Sequence, residues 1–489
     1  MVQIKPKVNY DCDVLIVGGG PAGSGLAHHL AKAGIKTVVI EADKFPRDKV
    51  CGDGVSPIAL RELHAMGITK TKTFIKANAI NQVGLFMEND QAIVQLEKPD
   101  DLPFHARIIP RIELDDMIHQ AAKKAGATFK ENCRVTNYKV SPHKVVTHYK
   151  NGIGEFKITS KMIVGADGSR SLVARKLRGY QPDPDFQLLG QRAYYENVNG
   201  PTNRVDIYFS KENFPGIYWL FPKGKTGANV GMAMIYKTCP TQASQVRQCF
   251  ANHLDTNPDL LRRLGKGKAT EKIQGWPITF YDSRNAIIGD RVLLVGEAAG
   301  LINPLSGDGI QYAVLSARWA SETIIESLGK SNCTMDSLSS YQQRLEKELA
   351  FDFSLSNLLV QFGRNKTLTP VWMTILNVLI TRCKDDPKFA ATIAGIFEGT
   401  YPSYKALTPD FMFSIMIQAG MNVSSYFQNG NSEPRQFVKD GKQFAIATGA
   451  TLNELSKNPK AHLRWLGDVA GKTFNVARHT AQSFGRNAG

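Results

Sequence analysis

Three glycines near the N-terminus, Gly18, Gly20 and Gly23, have the spacing GxGxxG, which is suited to holding a phosphate. They follow the apolar run DVLIV and open the helix-like stretch PAGSGLAHHLAKAG. The first glycine permits a tight turn, and the second lets the backbone approach a pyrophosphate. The third, together with Ala22, allows the helix to pack closely on the strand, and the helix N-terminus offers a partial positive charge. The pattern predicts a pyrophosphate site.

A carboxylate completes this nucleotide-binding pattern. The run KTVVIE reads as a second parallel strand that ends at Glu41. An acid that binds a ribose hydroxyl is expected about 20 residues after the first glycine. Strand, glycines, helix, strand and acid in this order predict a dinucleotide-binding unit and a Rossmann-like α/β fold.

Two later segments repeat the combination of a buried strand and a glycine turn. KMIVGADG ends at Asp167 and Gly168, and RVLLVGEAAG runs through Glu297. A simple dehydrogenase would complete its nucleotide fold directly after the first unit, whereas these segments follow only after long insertions. The three units therefore predict one large ligand that is held by loops far apart in the sequence.

The composition limits the classes of function. The 489 residues carry a net charge of +16 and seven scattered cysteines. The length predicts two or three domains, and no apolar run reaches the about 18 residues of a transmembrane helix. We find no signal-peptide pattern, no spacing of metal ligands and no nucleic-acid signature. We therefore expect a cytoplasmic protein with reduced thiols, no metal and no nucleic-acid partner.

Taken together, the three units resemble the FAD-dependent family that contains para-hydroxybenzoate hydroxylase, the flavin halogenases and the geranylgeranyl reductases. GADGSRSLVARKL is similar to the family's GxDGxxSxVR segment, and GEAAGLINPLSGDGI is similar to its G-D-A-A-G…P…G-x-G-I segment. The resemblance implies that the cofactor is FAD. In these two segments it implies cofactor contacts from Asp167, Gly168, Glu297, Gly307, Gly309 and Ile310.

The resemblance also assigns parts of the cofactor to these loops. It implies that Glu297 reaches the ribityl chain and that the loop containing Gly307 and Gly309 passes the isoalloxazine ring. A helix starting near Gly309 would then point its N-terminal amides at flavin N1 and O2, where reduced flavin carries negative charge. Glycines at 307 and 309 would let the bare backbone approach the ring.

Three further segments resemble the geranylgeranyl reductase branch. KVCGDGVSP is similar to the segment that this branch places beside the flavin, so Cys51 and Gly52 are expected at the cofactor, with Cys51 as a candidate catalytic group. PRIELD implies that Arg111 contacts FAD. YWLFPKG implies a substrate pocket lined by Trp219, Phe221 and Pro222. The branch's first aromatic residue is missing, because position 217 is Ile and Tyr218 should point to the other face of a strand.

The expected architecture is a Rossmann-like FAD-binding domain with an inserted β-sheet domain for substrate. The predicted bounds are 8–190 and 286–330 for the FAD-binding domain, 191–285 for the substrate sheet, and 331–489 for a helical region. The apolar stretches at 369–382 and 408–420 are too short to span a bilayer. The tail from 461 is amphipathic. Both a peripheral membrane contact and ordinary packing on the same chain fit that pattern.

The resemblance implies hydrogenation of C=C bonds in a prenyl chain by hydride transfer from reduced flavin. The electron donor would be NADPH or a ferredoxin-type protein. The alternative is a monooxygenase or halogenase acting on a small hydrophobic or aromatic substrate. Halogenases carry a tryptophan where this chain has Ile217, and hydroxylases usually carry a histidine where it has Gly300. Both differences favour the reductase; the oligomeric state stays open.

Overall fold

The computed structural model describes residues 9–87, 90–98, 100–235, 237–241, 245–402, 405 and 458–485. The strands are β1 Cys12–Val17, β2 Thr37–Ile40, β3 Gly54–Val55, β4 Asn78–Ala79, β5 Gln82–Met87, β6 Asp90–Gln95, β7 Arg107–Ile108, β8 Thr128–Lys130, β9 Arg134–Val140, β10 Val145–Lys150, β11 Glu155–Gly165, β12 Gln187–Glu196, β13 Arg204–Phe209, β14 Gly216–Lys223, β15 Gly227–Met234, β16 Lys268–Ala269, β17 Gln274–Thr279, β18 Ile288–Gly289 and β19 Val292–Leu294. The helices are α1 Pro21–Lys32, α2 Pro57–Ala65, α3 Lys72–Lys76, α4 Arg111–Lys124, α5 Leu172–Arg178, α6 Val246–Thr256, α7 Pro258–Leu264, α8 Ile310–Gly329, α9 Met335–Gly363, α10 Thr369–Asp385, α11 Pro387–Glu398 and α12 Pro459–Gly485.

The first large sheet brings the three predicted loops to one edge. Its main path has the order β18-β19-β11-β1-β2-β8, and β19, β11, β1, β2 and β8 run parallel. Strands β1, β2 and β19 are short, apolar and mostly buried, as parallel strands covered by helices must be. Their carboxyl ends therefore lie side by side, where open α/β sheets bind ligands. The predicted Rossmann-like fold is confirmed.

The second large sheet is mainly antiparallel and has the order β16-β12-β15-β14-β13-β5-β6, with β17 also paired to β12. Strand β5 is the exception, because it pairs in parallel with β13. The pair β5 and β6 comes from residues 82–95, inside the predicted first part of the FAD-binding domain, and β12 begins before 191. The second sheet thus includes strands from outside the predicted bounds 191–285. The sequence does not reveal this, because pairing between segments that are distant in sequence leaves no local pattern.

Helices cover both faces of this second sheet. One face packs against α6 and α7 around Tyr218 and Phe250. The opposite face packs against α10 and α11 around Phe209 and Phe389. The predicted helical character of the C-terminal region is confirmed for α9 to α12, while the segment 408–420 lies outside the described residues. Among the described helices, none has both the length and the apolar character needed to cross a membrane.

Candidate active site

The glycine turn after β1 is built around two backbone contacts that only glycine permits. Gly18 has φ +97°, and a Cβ on it would lie 2.4 Å from the carbonyl oxygen of Ala166. A Cβ on Gly23 would lie 1.9 Å from the carbonyl oxygen of Gly18. Ala22 packs at this turn, since a Cβ on Gly296 would come within 2.7 Å of its methyl group. The turn therefore holds β1, β11 and α1 in van der Waals contact.

Gly20 differs from its neighbours, because the space beside it is open. A Cβ at this position would have only Arg47 Nη2 nearby, at 3.5 Å. Helix α1 starts directly after it and has no side-chain cap at its N-terminus. Uncapped amides at a helix start, beside open space and near an arginine, form a cradle that fits a pyrophosphate.

Glu41 lies at the end of β2, as predicted, and is buried. Its Oε2 accepts a hydrogen bond from Gly19 N at 2.6 Å, and its Oε1 accepts one from Asp43 N at 3.0 Å. The carboxylate therefore fastens the glycine turn to β2. Each oxygen retains a second lone pair, so the predicted ribose contact stays a prediction.

Asp167 and Gly168, the two predicted residues in the turn after β11, have different contacts. The Asp167 carboxylate accepts hydrogen bonds from Ser171 Oγ and, at 2.7 Å, from Leu172 N, so it caps the start of α5. Gly168 instead faces the third loop, because a Cβ on it would lie 3.6 Å from Glu297 Oε2. The structure thus brings 168 and 297 together, while Asp167 is engaged in holding α5.

Glu297 lies in a short helical turn that follows β19. Its Oε2 is 3.1 Å from Lys49 Nζ, and its Oε1 accepts a hydrogen bond from Thr279 N at 3.3 Å. The contact with Lys49 links the third loop to the segment that contains Cys51. The carboxylate stays at the common edge of the strands, where the resemblance places the ribityl chain.

The loop before α8 contains an acid that the sequence reasoning missed. Gly307 has φ +71°, and a Cβ on Gly309 would lie 3.0 Å from Ile302 Cγ1. Helix α8 begins at Ile310, as expected. Asp308 Oδ1, however, accepts a hydrogen bond from Gln311 N at 3.3 Å, and burial raises the pKa of Asp308 to about 6. The sequence offered one signal for Asp308, because it is an acid between two glycines just before a predicted helix start.

The segment with Cys51 and Gly52 lies against the second sheet. A Cβ on Gly52 would lie 3.1 Å from Phe221 Cε2 and 3.6 Å from Trp219 Cε2. Cys51 is partly buried, and its Sγ accepts a hydrogen bond from Asp53 N at 3.4 Å. Burial raises the pKa of the thiol, so it keeps its proton at neutral pH. The structure therefore places the predicted cofactor residues Cys51 and Gly52 beside the predicted substrate residues Trp219 and Phe221.

Arg111 opens α4 and is buried in an ion-pair cluster. Its Nε and Nη2 donate to the two oxygens of Asp115 at 2.6 and 2.8 Å. Arg47 Nη1 donates to the same carboxylate at 2.8 Å. Burial alone would raise the pKa of Asp115, but the two guanidinium groups lower it. The cluster ties α4 to the segment beside Gly20; the predicted contact of Arg111 with FAD stays a prediction.

The three predicted substrate residues do not share one face of β14. Trp219 and Phe221 point toward the Cys51 segment, whereas Pro222 alternates to the opposite face. Tyr218 also points to that opposite face, as expected, where its ring stacks on His253 at 3.6 Å. Trp219 Nε1 donates to Asn229 Oδ1 at 2.9 Å. Trp219 and Phe221 therefore share the face toward the Cys51 segment and Pro222 does not, while the substrate contact of all three stays a prediction.

Beyond Phe221, this face of the sheet is apolar. The layer continues through β13, β5 and β6 and is covered by α10 and α11. Its buried members include Val83, Leu85, Val94 and Ile393. Hydrocarbon side chains meet on both sides of this layer, so any ligand that entered it would have to be apolar rather than charged.

A family model described as "FAD binding domain" matches residues 11–346 of the chain. Among curated proteins, the chain is 28% identical to conditioned medium factor receptor 1 of Dictyostelium discoideum over 83% of this chain and 81% of that protein. It is 28% identical to menaquinone reductase of Mycobacterium tuberculosis, over 65% and 78% of the two chains. It is 29% identical to geranylgeranyl diphosphate reductase of Rhodobacter capsulatus, over 63% and 74%.

Solved structures share the fold. A geranylgeranyl bacteriochlorophyll reductase-like protein from Thermoplasma acidophilum superposes with a TM-score of 0.67 at 21% identity, covering 81% of this chain and 98% of that one. A flavin-dependent brominase superposes with a TM-score of 0.63 at 18% identity, covering 85% and 99%. At these identities the likeness establishes the fold that positions the site.

Proposed function

The chain belongs to the FAD-binding domain family of oxidoreductases, and on this premise we propose that it hydrogenates C=C bonds of a prenyl chain. The observation that carries the proposal is the placement of Trp219 and Phe221. Both rings lie against the Cys51–Gly52 segment, and Phe221 also packs on the apolar layer that α10 and α11 cover. A prenyl chain in that layer would present its alkene carbons to the cofactor edge.

The described residues fit FAD. The open space beside Gly20 and the uncapped start of α1 would receive the pyrophosphate, and Glu41 would hold a ribose hydroxyl. Gly168 and Glu297 would lie along the ribityl chain, with Gly307 and Gly309 near the ring. Bound FAD, once reduced by NADPH or a ferredoxin-type donor, would supply a hydride.

Cys51 is the proposed source of the proton. Its thiol lies on the segment that touches Trp219 and Phe221 through Gly52, and burial keeps it protonated. A neutral thiol can give its proton to a carbon that becomes basic as the double bond is reduced.

The outer face of α12 supports a peripheral membrane contact that would bring the protein to a lipid substrate. Its exposed apolar residues follow one helical stripe, namely Leu463, Leu466 and Phe474. Cations flank this stripe at Lys460, Arg464 and Arg478. The buried side of the helix packs on α9 through Trp465, whose Nε1 donates to Gln361 O at 2.8 Å. An apolar stripe beside cations suits an anionic bilayer surface.

An anaerobic single-turnover experiment tests the proposed reaction. The purified protein is reduced chemically without oxygen, mixed with geranylgeranyl diphosphate or a prenylated quinone, and followed by flavin absorbance and product mass. We expect reoxidation without oxygen and a gain of two hydrogens. Reoxidation that requires oxygen, with a product that gains oxygen or halogen, would instead support the monooxygenase or halogenase alternative.

Cys51→Ser tests the proton source in the same assay. Serine is a much weaker acid than cysteine, so we expect FAD to stay bound while reoxidation by the alkene slows by about 10²-fold. Cys333→Ser, in the connection between α8 and α9, is the matched control and should react at the wild-type rate. An unchanged rate in Cys51→Ser would remove the thiol from the mechanism.

A further inference from the structure

Asp53 is a carboxyl group that the proposed reaction has not yet used. Its exposed fraction is 0%, and its φ of +67° lies in the left-handed region that non-glycine residues seldom adopt. Such a backbone conformation persists only where the surroundings impose it. Asp53 directly follows Cys51 and Gly52, so the geometry of this residue and of the thiol is fixed by one turn.

Hydrogen bonds from three elements meet at the Asp53 carboxyl group. Arg111 N donates to Oδ1 at 3.2 Å. Tyr194 Oη–H donates to Oδ2 at 2.7 Å, and Asn229 Nδ2 donates to the same oxygen at 2.8 Å. Asn229 Nδ2 also donates to Cys51 O at 2.7 Å. The second sheet thus holds the turn that carries the thiol.

Tyr194 extends the network outward. Its side chain is only partly buried, and its ring lies between two cations, with Arg192 Cζ at 4.0 Å and Lys223 Nζ at 4.6 Å from the ring centre. Arg192 in turn pairs with Asp48 and Glu271. Tyr194, which is partly exposed as a residue, thus places its hydroxyl group on the enclosed Asp53 carboxyl group.

The charged groups around Asp53 leave its proton exchangeable near neutral pH. Burial raises the pKa of Asp53 to about 6, against the lowering effect of Asn229, Tyr194, Arg192 and Arg111. Burial likewise raises the pKa of Cys51; Arg111 lowers it, and the Asp53 carboxylate raises it. The carboxyl group is consequently a stronger acid than the thiol beside it, and proton transfer from carboxyl to thiolate runs downhill.

We propose that Asp53 and Tyr194 form a proton relay that restores the Cys51 thiol after it has protonated the substrate. This inference rests on the proposed function. The S–H bond of Cys51 breaks as a C–H bond forms with the electron pair that the reduced alkene supplies. The Asp53 O–H proton then passes to the thiolate, and a solvent proton returns to Asp53 through the Tyr194 hydroxyl. The two electrons come with the hydride from FAD reduced by NADPH or a ferredoxin-type donor.

The pH profile of steady-state turnover tests the relay, because the thiol must be restored before each new cycle. In the wild type, with excess reductant and geranylgeranyl diphosphate, we expect turnover to slow as the pH rises above about 6, because Asp53 then loses its proton. Tyr194→Phe keeps the ring and removes only the hydroxyl group. It should slow the reaction at least about tenfold and move the midpoint of the profile upward, because the lost hydrogen bond no longer lowers the pKa of Asp53.

Tyr195→Phe is the matched control, because this neighbour on β12 points to the opposite face of the sheet. It should leave both the rate and the midpoint unchanged. A slower Tyr194→Phe with an unshifted midpoint would show that the hydroxyl group is merely structural and would overturn the relay. A wild-type profile that is flat between pH 5 and 8 would overturn it as well.

A second measurement does not depend on turnover. Iodoacetamide alkylation of Cys51 is followed against pH in the oxidised FAD-bound protein. In Asp53→Asn the thiol should react at lower pH than in the wild type, because the carboxylate that raises its pKa is gone; Asp53→Ser replaces this variant if the amide prevents FAD retention. An unshifted profile would show that the two groups do not interact and would overturn the relay. If the profile shifts but the protein reduces no alkene, the proposed function fails while the interaction between Asp53 and Cys51 stands.

Discussion

Replacing Gly20 should separate binding of FAD from folding of the chain. Gly20 has φ −66° and ψ −173°, a conformation that any L-residue adopts, and a Cβ there would meet only Arg47 Nη2, at 3.5 Å. We therefore expect both Gly20→Ala and Gly20→Val to fold. The alanine variant should be more stable without cofactor by about 0.4–1 kcal/mol, because alanine restricts the unfolded chain.

The loss of FAD affinity can be worked out from the amides that the valine side chain would cover. A hydrogen bond from a backbone amide to a charged group contributes about 1.5–3 kcal/mol. Loss of two such bonds to the pyrophosphate would cost about 3–6 kcal/mol, which weakens binding by about 10² to 10⁴-fold. Valine should show the full effect, since its branched side chain fills the space beside the start of α1.

The assay combines FAD titration with thermal unfolding and circular dichroism of the flavin-free proteins. Gly23→Ala is the contrasting variant: its Cβ would lie 1.9 Å from a backbone oxygen, so this protein should fail to fold. If Gly20→Val folds and binds FAD with wild-type affinity, the pyrophosphate does not lie at this turn and the assignment is wrong. Equal loss of folding in both variants would refute the distinction between them.

Other predictions follow from the ion-pair cluster and from α12. Asp115→Asn leaves Arg111 and Arg47 without their shared carboxylate and should lower the free energy of unfolding by about 3–5 kcal/mol in urea titrations; an effect below 1 kcal/mol would contradict the reasoning. Because the two arginines lower the pKa of Asp115, the stabilisation is present above the ordinary aspartate pKa of about 3.9 and should be lost as the pH falls through the lowered value. Flotation with anionic vesicles should recover the wild-type protein at low salt but not at high salt, and serine replacements on the exposed stripe of α12 should abolish recovery. Recovery of the serine variant at the wild-type level would exclude that stripe as the membrane contact.

Sequence patterns were sufficient to predict residues and side-chain directions where a local rule fixes the backbone conformation. Gly18 and Gly23 were identified from their spacing, and the structure gives the reason in the two carbonyl oxygens that a Cβ would strike. Alternation along β14 likewise separated Tyr218 from Trp219. The same alternation places Pro222 on the face opposite to Trp219 and Phe221, a consequence that the resemblance alone did not reveal.

Residues that act through distant partners could not be identified in this way. Asn229 meets Asp53, Cys51 and Trp219 only because β15 lies beside β14 in the second sheet. Tyr194 lies on a third strand and looks like any aromatic residue of a half-buried sheet. For the same reason the sequence does not reveal that β5 pairs with β13, because that pairing is chosen by packing rather than by neighbouring residues.

Helices α10 and α11 cover the apolar layer of the second sheet, and their late position in the sequence has a consequence for synthesis of the protein. The apolar layer that they cover is partly made by β5 and β6, but α11 ends about 300 residues after β6. At about 5–20 residues per second, a ribosome takes about 15–60 s to add that length. During this interval the apolar layer lacks α10 and α11, so chaperones that shield apolar surfaces would have their main opportunity before the last quarter of the chain emerges.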